Sequence, residues 1–583
     1  MSKRKKQTES HPRCNTPGAL AHSARGTLRS YTVGALPILN HFLKRLKLED
    51  ALHDVLPRED PRSKLSASKT LLVLMRNLLV SREPLYGLGE WAVRHAPNLL
   101  GLTPDQIAML SDDRSGRSLD RLFLIDFASF SLLVAAGAVL EFNIDLDQLH
   151  NDSTTITFCG DYANAAIEKH YLGQPTLAIT FGFNKDHRPD LKQLLYLLTV
   201  SRDGGVPLHF RVENGNKTDD QTHCRTWDVL SKLVGRPDFL YVADSKLATR
   251  ENMFYIAQHS GRFVTVLPRS RSEDNAFRQR LQEGQVTWQL LWEKTDEYGE
   301  VVDHFSICDQ PTVSAEGYRL AWYHSTRKAE LDAATRAKQI DRILSRLGQL
   351  RQKLTSSRTR YRQPDKVQRV VDEILAHHEA SRWIHVTIVP HEEETYRHEK
   401  PGRPGKDARY VRQVRTRLKI DYVIDAEQLA AERAGDGVFP LVSNVWELSP
   451  LELLHAYKGQ SKVEKRFSQL KTDFEVAPVY LKEVRRIEAL LCVYFLAMLV
   501  EALLERELRR AMEREGIESL PMYPEGRACR CPTARRVIDL FADVQRHEWE
   551  TSGGRKTVMV TELTALQRRI LELLGLNPET YGL

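Results

Sequence analysis

The chain has 583 residues, with 42 % hydrophobic and 28 % charged side chains. That is enough for about three or four domains, in the balance of a soluble globular protein rather than a disordered or membrane-embedded one. The net charge of +7 lies mostly in residues 1–26, where Lys3, Arg4, Lys5, Lys6, Arg13 and Arg25 stand against the single acid Glu9, so any polyanion partner must be met by local basic patches on a nearly neutral body.

Residues 1–28 read as a disordered basic tail. Residues 29–143 read as a helical N-terminal domain. LPILNHFLKRL, SASKTLLVLMRNLLV, YGLGEWAVRHA and RSLDRLFLI carry apolar residues at helical spacing, and FASFSLLVAAGAVLEF adds another apolar helix. From residue 144 the pattern changes to strands. IDLDQLHNDSTTITF, LKQLLYLLTV and VPLHFRVEN are rich in β-branched and apolar residues, and SRDGG between the last two is a hairpin turn. DQTHCRTWDVLSKLVG reads as a helix, FLYVADS as a short buried strand, ATRENMFYIAQHS as a helix and RFVTVLP as a strand. The order β-β-β-α-β-α-β over 144–268 predicts an α/β fold built on a mixed five-stranded sheet, in which strands one and four are adjacent and parallel.

Residues 269–445 interrupt that pattern as an insertion. Trp288, Trp292 and Trp322 lie in strand-like segments, where burial is the ordinary role of tryptophan. Ile340, Ile343, Leu347, Leu350 and Leu354 make a short heptad seam, closed into a helical hairpin by KVQRVVDEILAHH. KPGRPGKDAR reads as a solvated basic linker. VRTRLKIDYVID and GVFPLVSN return as strands. The core resumes over 446–510, and 511–583 reads as a helical C-terminal region. The longest apolar run, Ala489–Val500, is too short to span a bilayer and fits a buried helix, so no membrane partner is expected. Seven cysteines without regular spacing argue for reduced thiols in a cytoplasmic protein, and the polar, basic N-terminus has no signal-peptide pattern. Cys529 and Cys531 are a close pair, but a zinc site needs two further ligands nearby.

A helix start is marked at Ser449-Pro450-Leu451-Glu452, a capping box with proline at the first helical position. At about 100° per residue, Tyr457, Glu464 and Lys471 share one stripe of this helix, with Gln460 one turn before Glu464 and Phe467 and Leu470 beside it. A carboxylate beside a core is expensive unless it is paired. Taken alone, Glu464 reads as one half of an ordinary ion pair. Two further acids change the weighting. Asp152 lies on the first strand and Asp244 ends the fourth, and adjacent parallel strands can bring them together. Each alone has an ordinary reading, Asp152 as a turn residue and Asp244 as a helix cap. Asp186 and Asp190, in a loop before the second strand, are the competing acids. Three carboxylates from two strands and a helix suit Mg²⁺, which takes few protein oxygens plus water and phosphate.

At these residues the sequence resembles the bacterial insertion-sequence transposases of the DDE type, in the branch whose third segment reads Tyr-x2-Arg-x3-Glu-x6-Lys. Tyr457, Glu464 and Lys471 match it, and Gln460 stands where the motif has arginine. HNDSTTITF and VADSKLATREN match the first and second segments, with KDHRPDLKQLLYLL and VENGNKTD between them, and the likeness covers about residues 30–510. The resemblance implies an RNase H-like catalytic core interrupted by the insertion. It implies Asp152, Asp244 and Glu464 as catalytic metal ligands for Mg²⁺, with Mn²⁺ as a substitute. Tyr457, Gln460 and Lys471 would face DNA, with Lys458, Lys462 and Lys465 as the nearby bases that could stand in for the missing arginine. The partners implied are double-stranded DNA, as transposon ends and as target, and a second copy of the chain in a DNA-bound homodimer, in the cytoplasm on the nucleoid. Residues 29–143 would bind the ends, and the insertion's tryptophans would be candidates for stacking on a flipped base. The alternative is a transposon-derived DNA-binding protein that has lost catalysis, a reading that Gln460 favours.

Overall fold

Alternation of side chains builds the central sheet. In the computed structural model, Leu240 and Val242 pack into one apolar cluster while Tyr241 and Ala243 pack into another, so successive residues of one strand line opposite faces of the sheet. The structure describes residues 26–581 except 161, 163, 164, 166–168, 297, 298, 309, 311, 357, 358, 377–381, 400–408, 478 and 480. The tail before residue 26 and nearly all of the basic loop KPGRPGKDAR therefore lie outside the described residues. The chain divides into two units, Leu122–Leu503 and Met1–Arg121 with Leu504–Leu583.

The larger unit holds the sheet. Its first five strands are Gln148–Phe158, Lys192–Ser201, Pro207–Asn214, Leu240–Ala243 and Arg262–Val266, close to the segments expected. Strands one, two and three form an antiparallel meander. Strand four pairs parallel to strand one and strand five parallel to strand four. The hairpin between strands two and three turns at Gly204 and Gly205, both at positive φ, where a side chain would be strained. Five strands prove too few. The sheet has ten, because segments of the insertion continue it: Val438–Ser443 pairs with strand five, followed outward by Arg319–Ser325, Val301–Cys308 and Trp288–Thr295, with Thr312–Val313 at the side. The insertion is thus partly sheet rather than an appendage.

Both faces of the sheet are covered, so its central strands are apolar on both sides. One cluster takes Trp227 and Leu230, Met253 and Ile256, and Phe277 from helices His223–Val234, Arg250–Gln258 and Ser272–Gln282. The other takes Leu453, Leu454 and Ala456 from helix Pro450–Lys458. Trp322 is buried and stacked on Phe277 with centroids 3.8 Å apart. Trp292 stacks on Phe305 and Trp288 meets Phe277 edge-on. All three tryptophans pack within the protein.

The remainder of the insertion makes a separate cluster. The heptad residues Ile343, Leu347, Leu350 and Leu354 on helix Thr326–Thr355 meet Val367, Val371 and Ile374 on Pro364–Ala376, and Ile384 and Ile420 at the base of a long hairpin. That hairpin pairs Ile384–His398 with Tyr410–Ile424. Helix Val484–Arg514 is long and apolar enough to cross a membrane by length and composition, and 94 % of its most apolar window is buried inside the protein.

In the other unit, strand Gly26–Thr32 pairs with Gln545–Thr551, which pairs with Lys556–Val560. The first strand therefore begins inside the segment expected as tail, and the C-terminal region expected to be helical carries a hairpin. Helices Leu36–Arg45, Leu48–Val55 and Ala67–Val80 follow the N-terminal expectation, the last capped by Ser66, whose hydroxyl accepts from the Lys69 N–H.

Candidate active site

Register brings two of the expected acids together. In the parallel ladder of strands one and four, Asn151 stands opposite Ala243, so Asp152 and Asp244 each come one residue after a paired position. A third carboxylate joins them. Asp219 leads a short 3₁₀ turn, Asp219–Gln221, between strand three and helix His223–Val234, and the Ser153 hydroxyl donates to it at 2.7 Å. One oxygen from each of Asp152, Asp219 and Asp244 lies within 4.8 Å of the others. Three hard carboxylate oxygens drawn from separate elements are a donor set that fits a divalent cation. Among the described residues this is the group able to hold a metal. Cys529 and Cys531 are not part of such a group among the described residues.

A cation of the protein's own already stands among these acids. The Lys185 ammonium lies 2.9 Å from Asp219 and 3.3 Å from Asp152, and donates to the Ser153 carbonyl at 2.7 Å. Burial pushes the Asp152 carboxyl up to about 6, Lys185 pulls it down and Asp244 adds to the rise. Asp244 is also raised, by burial first. Such mutual crowding of carboxylates in a partly dry site marks functional acids more often than structural ones.

The third segment is less regular than one continuous helix. Helix Pro450–Lys458 starts at the expected capping box, with Ser449 and Glu452 satisfying each other's backbone N–H. It breaks at Gly459-Gln460. There the Gln460, Lys462 and Val463 N–H groups bond three residues back rather than four, which tightens the winding. Helix Ser461–Ser468 follows, and then a π-helical turn, Gln469–Asp473, that carries Lys471. The uniform 100° stripe expected for Tyr457, Glu464 and Lys471 is therefore interrupted twice. At the break the helix comes close to strand one. A Cβ on Gly459 would sit 2.5 Å from the His150 ring.

Gln460 lies inside, away from the surface expected for a DNA contact. It is buried, its amide nitrogen donates to the Asn151 carbonyl at 2.8 Å, and its oxygen lies 3.3 Å from His150 Nδ1. Gln460 thus joins the helix to the strand beside Asp152, and an arginine's charged fork would be out of place beside the buried, neutral His150 ring. Lys458 is packed over the rings of Phe305 and Phe439 and Lys462 donates to the Arg202 carbonyl at 2.6 Å, so these two lysines are engaged within the protein. Arg466, which sequence reasoning passed over, is a buried anchor: it donates to the carbonyls of Gly205 and Gly204 at the hairpin turn.

Tyr457 is half-buried, and burial, then Asp244, Glu464 and Asp152, push its phenol up to about 12. It therefore stays protonated and senses all three expected acids. Glu464 is exposed, in the first turn of its helix and outside the close group. Lys471 forms an ion pair with Asp186 at 2.6 Å, and Asp190 pairs with Arg188. Asp219 is the acid the sequence left without a role, although VENGNKTD ends on it. The chain leaving edge strand three must pass the ends of strands two and one to reach strand four, and an acid at that crossing is the signal that could have found it.

Comparison with known proteins adds little detail. A family described as a domain of unknown function (DUF4277) matches residues 28–135. No curated protein matches. Among solved structures, a piggyBac transposase synaptic complex with hairpin DNA aligns over 94 % of this chain and 84 % of that chain, at 8 % identity and a TM-score of 0.35.

Proposed function

We propose that this chain is a DDE transposase with an RNase H-like core, which cuts DNA at insertion-sequence ends and joins the freed 3′-OH to target DNA. The observation that carries this reading is the meeting of Asp152, within strand one, and Asp244, just past the end of the adjacent parallel strand four. The order three-two-one-four-five within the sheet supports the RNase H-like assignment.

Asp152, Asp244 and Glu464 are the proposed catalytic ligands of Mg²⁺, or Mn²⁺ in its place, with Asp219 beside them. When bound there, such ions would activate the attacking oxygen and stabilise the leaving one. The chain's own residues do the positioning. Strands one and four fix two carboxylates through their ladder, and Gly459, Gln460 and Arg466 hold the third-segment helices against that frame. The Tyr457 phenol, kept protonated, donates a hydrogen bond near the scissile phosphate, and Lys471 supplies a point charge to DNA. Duplex DNA is bound as a homodimer, with residues 29–143 on the element's ends. Loss of catalysis in a DNA-binding descendant was favoured by Gln460, and the inward role of that residue removes this support.

The test is cleavage of DNA carrying the gene's own flanking ends, with Mg²⁺ or Mn²⁺, by wild type and Glu464→Gln. Metal-dependent cutting at the boundary by wild type alone is expected, with end binding kept by both. Specific binding without cutting by either protein would assign the chain to the non-catalytic class.

A further inference from the structure

The turn before strand two presents opposite charges to the two halves of the site. Asn184 is buried, and its side-chain oxygen accepts from the N–H groups of Asp186 and Arg188 at 2.8 and 3.2 Å. Its amide nitrogen donates to Gln193 on strand two at 2.9 Å. His187 completes the turn in the left-handed region, at φ 58°. The result is a fixed turn. From it, Lys185 extends to Asp152 and Asp219, while its neighbour Asp186 extends to Lys471 at 2.6 Å.

These two contacts have complementary chemistry. The ammonium bonds to oxygens of two carboxylates in the metal-fitting group. The carboxylate bonds to the lysine assigned above to a DNA phosphate. Two divalent ions would balance Asp152, Asp219, Asp244 and Glu464 without the Lys185 ammonium, leaving it surplus.

We propose that Lys185 and Asp186 are internal stand-ins, one for the metal and one for the DNA phosphate, and that loading the site with a divalent cation and DNA displaces both. The dipeptide keeps the acids together and Lys471 neutralised until both ligands arrive. This rests on the reading of the acid group as a metal site and of Lys471 as a phosphate contact.

Two binding measurements on the full chain test it. The first is Mn²⁺ affinity without DNA, read from the spin-resonance signal of free Mn²⁺. Removing a unit charge a few ångströms from the ion in Lys185→Met should tighten Mn²⁺ by about tenfold. If that variant folds only when Mn²⁺ is added, the result supports the proposal equally, because the ion then does the work of the ammonium. Unchanged or weaker Mn²⁺ binding by a folded variant overturns it. Absence of Mn²⁺ binding by wild type and variant alike overturns the metal reading as well. The second measurement is duplex DNA affinity in EDTA. Asp186→Asn should bind about threefold tighter, with a salt dependence steeper by about one counterion. No gain should appear when Lys471→Met is already in place. An equal gain in both backgrounds means that Asp186 acts only through the general field, and overturns its part.

Discussion

Two aspartates on strands of the same sheet meet different fates. Asp303, in the half contributed by the insertion, is buried and surrounded by donors. The Ser325 hydroxyl reaches its two oxygens at 2.9 and 2.8 Å, the Thr326 hydroxyl donates at 3.1 Å, and the Arg327 N–H at 3.0 Å. It seals the start of helix Thr326–Thr355, where a carboxylate also meets the positive end of the helix dipole. Asp152, in the half with parallel strands, faces Asp219 and Asp244 and shares Lys185 with Asp219. A buried acid ringed by neutral donors is a finished structural element. A half-buried acid facing other acids is stable only with a cation, and that requirement marks a site.

The comparison can be broken most directly by removing each charge. Asp152→Asn should lower Mg²⁺-dependent cleavage by about a thousandfold or more while leaving metal-free stability unchanged or higher, because crowding between carboxylates is relieved. Asp303→Asn should do the opposite, losing about 2–3 kcal/mol in urea unfolding and retaining cutting per folded molecule. Loss of stability in the first or of chemistry in the second would erase the distinction.

A smaller effect tests the seam between helix and site. Gln460→Arg restores the residue of the third-segment motif, but it puts a charge beside the buried His150 ring and removes the bond to the Asn151 carbonyl. It should cost about 2 kcal/mol rather than raise activity, as denaturant titration would show. Next in size is a pH effect on the frame alone. Burial, with Arg211 and Arg225, holds the His209 ring down to about 4. Between pH 6.5 and 4 the unfolded chain takes up a proton that the native ring refuses. Stability from this group is full above pH 6.5 and is lost as pH falls towards 4, on the order of 2 kcal/mol, and His209→Gln should flatten that part of the stability profile. Smallest of all, Asp190→Asn should change neither stability nor cutting measurably, since that exposed acid pairs only with Arg188 among its resolved contacts. A loss of cleavage there would return Asp190 to the competition for metal.

What was legible in the sequence was local. Strands one to five show themselves by β-branched and apolar runs between turn residues, with Asp152 inside the first run and Asp244 where the fourth ends. The Ser449 capping box is a four-residue pattern and was readable as such. The rest depends on partners far along the chain. Asp219 lies in a polar loop whose course only the topology fixes. Position 459 takes glycine because His150, some three hundred residues earlier, leaves no space for a side chain, and no periodicity records that. Gly26 pairs with Thr551, and strand Arg262–Val266 pairs with Val438–Ser443. Neither segment advertises its mate.

The pairing of strand five with Val438–Ser443 has a consequence for synthesis. Strand five leaves the ribosome roughly 170 residues before its neighbour, an interval of roughly 10–30 s at ordinary translation speeds. The strands made in between, Trp288–Thr295, Val301–Cys308 and Arg319–Ser325, lie outside the late one in the final order, so none can join the sheet until it arrives. Through that interval the nascent chain carries an open row of backbone donors and acceptors beside Phe263 and Val264, both fully buried in the finished fold. The last-made strand is the keystone, and the wait for it is the stage at which a chaperone, or a neighbouring nascent chain, has its opportunity.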